Sequence, residues 1–87
     1  MRKHYEAIFK RFFCSSLFRA RCDQNITQEE MAERLSMSTR SYVDLDHGKT
    51  GCSGLTLALF LVYVCTEPMA FLEGLRNAFD NDENKAA

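Results

Sequence analysis

Four cysteines and two histidines are the side chains that could ligate a metal or attack a substrate, and their spacing favours neither role. Cys14, Cys22, Cys52 and Cys65 contain no C-x-x-C pair, and neither His4 nor His47 has a cysteine at ligand spacing, so no metal site is expected. Cys14 and Cys22 read as small packing residues. Catalysis is not expected either. No nucleophile has an ordered base, no paired carboxylates suggest a cleft, and no glycine-rich loop could cradle a phosphate. No cofactor is implied. What remains is hydrogen-bonding and charge chemistry in one short stretch: the hydroxyls of Ser38 and Thr39, the guanidinium of Arg40, the carboxylate of Asp44 and the ammonium of Lys49. Arg40 admits two readings. A guanidinium can bridge O6 and N7 of guanine, worth about 1–3 kcal/mol of discrimination. On a helix it can instead pair with Asp44 four residues on, worth only a few tenths of a kcal/mol.

The elements that must carry these residues run from Thr27 to Lys49. Thr27 is a good N-cap and Glu30 stands at the capping-box position. Met31, Ala32 and Leu35 then share one helical face. Ser36-Met37 interrupts the pattern, Ser38 caps a second helix in which Tyr42 and Leu45 face inward, and Gly48 stops it in the left-handed conformation. Helices are predicted over about 27–35 and 38–47. Two short helices around a tight turn form a helix-turn-helix, whose second helix can enter the DNA major groove.

On either side lie longer apolar patterns. Tyr5, Ile8, Phe9, Phe12, Phe13, Leu17 and Ala20 form a stripe that predicts a first helix over about 3–22. Residues 54–65 are almost continuously apolar, which predicts a fourth helix buried on most sides; its β-branched residues make a strand the local competitor, but one isolated strand would have no partner. Pro68 restarts a helix that should reach about Phe79, with Leu72, Leu75 and Phe79 on one face. One domain, 1–79, is expected, followed by a polar, disordered tail over 80–87.

The segment around Thr27-Gln28-Glu29-Glu30, Met31-Ala32, Leu35, Ser38 and Leu45-Asp46-His47-Gly48-Lys49 resembles the phage-repressor (Xre/Cro-type) helix-turn-helix family. Arg19 and Arg21 fit its first helix, and Phe60–Val64 and Phe71-Leu72 its fourth and fifth, so the likeness spans roughly residues 13–72. It implies an all-α, five-helix repressor-like domain with extended first and last helices. It also implies that Thr39, Arg40 and Asp44 touch base edges, and that Gln28, Ser38, His47 and Lys49 meet phosphates. Arg21 and Asp46 match a structural ion pair tying the first helix to the end of the third. Asp46 is one methylene shorter than the family's usual Glu. Asp44 departs from the basic or amide residue common there, and Val43 is apolar where many relatives are polar.

Composition sharpens both sides of that reading. The 87 residues are 46% hydrophobic, with one Pro and four Gly, as suits a compact helical chain. The net charge of −1 argues against indiscriminate polyanion binding. Residues 1–21 carry six basic side chains against one acid, whereas residues 22–66 carry three against six and residues 67–87 two against five. The basic N-terminal stretch shares its composition with transit peptides, but it fits the first helix directly. Lys10, Arg11 and Arg19 break any signal-type apolar run, and the 55–65 run is too short to span a bilayer. A reduced, cytoplasmic protein without membrane contact is expected.

The function class implied is a DNA-binding transcriptional regulator with double-stranded DNA as partner, acting as a dimer. The rival is a protein-interaction module, antitoxin-like or adaptor, on the same scaffold with a protein partner. Phe9, Phe12 and Phe79 lie on the helical extensions. They either pack on one another, the reading favoured here, or form a homodimer face.

Overall fold

The computed structural model describes the backbone of residues 2–86 and the side-chain surroundings of residues 2–81. Five helices appear in order, with no strand among the described residues: α1 (Arg2–Gln24), α2 (Gln28–Arg34), α3 (Thr39–Asp46), α4 (Gly54–Leu59) and α5 (Pro68–Ala86). The fold is all-α.

The short helices owe their limits to their end residues. Thr27 accepts from the Glu30 amide at 3.1 Å while the Glu30 carboxylate accepts from the Thr27 amide at 3.2 Å, closing the capping box expected at α2. Ser38 and Ser53 cap α3 and α4, each accepting an amide hydrogen bond at 3.1 Å from three residues on. The first three helices end alike. The amides of Ile26, Met37 and Lys49 donate to the carbonyls of Arg21, Ala32 and Asp44, five residues back, at 3.0, 3.0 and 2.9 Å. The residue before each donor is left-handed: Asn25, Ser36 and Gly48, with φ of 53°, 55° and 73°.

Phe13, Leu17, Met31, Leu35, Tyr42 and Phe60 are essentially shut off from solvent, so α1 to α3 and the segment after α4 share one core. Aromatic rings knit it. Phe13 and Phe60 meet edge-on at 5.1 Å, Phe60 and Phe71 at 5.4 Å, and Phe12 and Phe71 at 5.3 Å.

The α1–α5 contact answers the question about the phenylalanines. Phe9 stacks on Phe13 at 5.6 Å, Phe12 packs on Phe71, and Phe79 meets Tyr5 edge-on at 5.1 Å. All three are partly buried within one chain. These contacts support the favoured reading, packing within the chain. Gly74 makes the approach possible: a Cβ there would lie 3.0 Å from Cζ of Phe12. Glycine inside a helix costs about 1 kcal/mol relative to alanine. Here that cost is offset by letting the Phe12 ring close on α5.

Four expectations are corrected. The fourth helix is not continuous α-helix to Cys65: after Leu59 it widens into a π-helical turn, Phe60–Val64, closed by the Cys65 amide on the Phe60 carbonyl at 2.8 Å. Nor is it buried on most sides: only Phe60 and Val64 are fully buried, while Leu57, Leu59 and Leu61 pack against the core partly exposed. In α5 the inward residues are Phe71, Gly74, Leu75, Ala78 and Phe79, and Leu72 is exposed. The helix also passes the expected end at Phe79. Residues 80–86 of the expected tail continue it, since nothing after Gly74 breaks a helix, and Arg76 and Asp80 pair at 3.9 Å across one turn. Ala87 lies outside the described residues.

Candidate nucleic-acid interface

Helix α3 turns Tyr42, Leu45 and Asp46 inward, where all three are buried. The helical period therefore sends Arg40, Asp44 and His47 to the opposite side, with Thr39 and Ser41 flanking. Every feature of the candidate interface follows from how the inward side is anchored.

The anchor is the Asp46 carboxylate, 8% exposed. Tyr42 donates its hydroxyl to Oδ1 at 3.2 Å. Gln28 donates its side-chain amide to Oδ2 at 3.2 Å, and Nη2 of Arg21 lies 3.4 Å from the same oxygen. Thus α1, α2 and α3 meet on one carboxylate. The Cys14 thiol adds a fourth link, donating to the Asp46 backbone carbonyl at 2.7 Å. Arg21 also lies over the Phe18 ring, 5.7 Å from its centroid, while its Nε is buried with no hydrogen-bond partner. Burial, and secondarily the Asp46 charge, push the Tyr42 phenol well above its ordinary value. Burial and then the same carboxylate push the Cys14 thiol up as well. Both groups so stay protonated as donors, Tyr42 to the buried carboxylate and Cys14 to the backbone carbonyl.

A second tie holds the helix ends together. Gln24, at the close of α1, donates to the Val64 carbonyl at 2.9 Å and accepts from Nη1 of Arg34 at 3.1 Å. One amide so links α1, the end of α2 and the end of the π turn.

On the outward side the pattern reverses. Thr39 and Arg40 are exposed, and the Arg40 guanidinium has no ion pair or side-chain hydrogen bond among the described residues; the i,i+4 pair with Asp44 does not form. His47 and Lys49 are exposed just past the helix. Asp44 is half-buried at a shallow groove of about 260 Å³ that Ser41, Thr50, Cys52, Ser53 and Thr56 help line. Burial pushes the Cys52 thiol up.

Two expected phosphate residues have other work. Gln28 is half-buried, with its amide directed at Asp46. Ser38 accepts the Ser41 amide as N-cap and donates its own hydrogen to the Ser41 hydroxyl at 2.9 Å. The exposed polar positions on this side are therefore Thr39, Arg40, Ser41, His47 and Lys49. Sequence reasoning missed Ser41, Tyr42 and Gln24. The i,i+4 spacing of Tyr42 and Asp46 on one face was a usable signal for that pair. Gln24 offered none, since its partner Val64 is 40 residues away.

Comparison with family models, with curated proteins and with solved structures returns no match for this chain.

Proposed function

We propose that the protein is a sequence-specific, DNA-binding transcriptional regulator that lays α3 in the major groove. The observation that carries this reading is the exposed Arg40, without an ion pair among the described residues, on the first turn of a helix whose far side is fixed by the Asp46 cluster. The anchored helix fixes where this side chain starts, so binding orders the side chain and not the backbone, and the planar guanidinium suits the O6/N7 edge of guanine. Thr39 and Ser41 flank it with hydroxyls that can reach bases or phosphates, and Lys49 supplies a phosphate contact beyond the helix. The resemblance of residues 27–49 to phage-repressor helix-turn-helix domains points the same way, and a cytoplasmic location goes with it.

The alternative, a protein-interaction module, draws on charge. Glu29, Glu30 and Glu33 stand on exposed α2 beside α3, against Arg34, Arg40 and Lys49. Such a surface gains little from a polyanion. A salt titration on a random duplex pool separates the two. DNA binding through Arg40 and Lys49 must weaken steeply as salt rises, because counterions are released. No binding at low salt moves the assignment to the protein-interaction module.

A further inference from the structure

Residues 54–65 contain no charged side chain, yet the outward side of this segment is uncovered. Leu55, Val62 and Tyr63 are 69%, 69% and 67% exposed, and the half-buried Leu59 lies between them. Positions 55, 62 and 63 share one side of the segment, with Leu59 between them also packing in part against the core, while Phe60 and Val64 are buried in it. Immediately beyond the short connection, Met69 is 70% exposed and Leu72 45%. Scattered exposed apolar residues are ordinary, but a run along one helix is not.

We propose that this stripe is where two copies of the chain pair, α4 against α4 across a two-fold axis. Three observations favour a second copy as the occupant. First, a two-fold contact brings each side chain against its own surface, and a stripe without charges does so without like-charge repulsion. Second, the two ends are complementary in size. An antiparallel pairing sets Leu55 of one copy near the bulky Tyr63 of the other. Third, the area is sufficient. These side chains present roughly 500 Å² of apolar surface per copy, by ordinary side-chain areas. With a polar rim, two copies reach the low end of specific interfaces, about 1,200 Å² in total. Area alone does not set affinity, but contacts at this low end are typically weak, so a dimer with a dissociation constant on the order of micromolar is expected. The other apolar candidates, Phe9, Phe12 and Phe79, are already used within the chain.

The test is solution mass, measured by light scattering across a concentration series on the full chain without DNA, so its outcome is independent of the DNA-binding proposal. The wild type should move from one-chain to two-chain mass through the micromolar range. Val62→Glu should remain at one-chain mass and, at concentrations where the wild type is also one chain, keep the wild-type unfolding midpoint, because Val62 is 69% exposed. Leu55→Glu, at the other end of the stripe, should do the same and decides the matter should Val62→Glu misfold. A wild type that stays at one-chain mass overturns the proposal, whatever else covers the stripe. So do glutamate variants that still dimerise, or a mass that climbs past two chains.

Discussion

Asp44 and Asp46 stand two residues apart on α3 and face opposite ways. Asp46 is buried and receives Tyr42, Gln28 and Arg21 from three helices. Asp44 is half-buried beside a shallow polar groove, and no side-chain bond to it appears among the described residues. Along the same helix, Tyr42 and Leu45 are inaccessible while Arg40 and His47 are open. The difference shows how eight residues divide their work. The inward side spends its polar groups on holding α3 in place, so the outward side is left with groups that have no structural obligation. Those groups are the ones free to recognise something.

The comparison breaks first at its largest expected effect. Asp46→Ala leaves the Arg21 charge partly buried and strips Tyr42 and Gln28 of their acceptor, which should destabilise the fold by about 3–5 kcal/mol. Asp44→Ala, which removes no observed bond, should stay within about 0.5 kcal/mol of wild type. Urea unfolding of both variants gives the answer, and equal midpoints would erase the distinction between the two sides.

A smaller effect sharpens the inward half. Tyr42→Phe deletes one hydrogen bond to a charged group and should cost about 1.5–3 kcal/mol. Its pH signature is more specific. The folded state raises the Tyr42 phenol above its ordinary 10.0, so the stability this contributes is complete below that pH. It is lost as pH climbs from there toward the folded value, because the unfolded chain ionises first. Tyr42→Phe should flatten that alkaline decline. A decline as steep as wild type would mean Tyr42 does not carry it.

The smallest expected change tests the outward half. Asp44→Asn removes one negative charge near the proposed DNA surface and should raise non-specific duplex affinity modestly, by no more than about 1 kcal/mol for a charge still in contact with solvent. Lys49→Ala should lower affinity for all sequences alike and reduce the salt slope by about one. Filter binding on unrelated duplexes measures both, and identical slopes for wild type and Lys49→Ala would remove Lys49 from the interface.

How much of this was legible in the sequence depended on whether the signal was local. The α2 capping box and the Gly48 stop read directly, because each is decided by residues within a turn of one another. Ser36 in the left-handed conformation did not, as serine carries no strong preference for it. The Arg21–Asp46 proximity came from family resemblance, while Tyr42 and Gln28 as further partners did not, although Tyr42 lies one turn from Asp46. Segment 54–65 was misread for a physical reason. Periodicity identifies a buried side by contrast with polar positions, and a uniformly apolar run has no contrast. Which side Phe60 would choose depended on Phe13 and Phe71, far away in the chain.

The most direct test of α3 as a reading helix is the base preference of Arg40→Ala, measured by selection from a random duplex pool alongside its urea midpoint. With α3 in the groove, the variant keeps wild-type stability and loses discrimination at one base position, by about 1–3 kcal/mol. A preference unchanged at every position, with stability also unchanged, would contradict the assignment and leave the outward face of α3 to a protein partner.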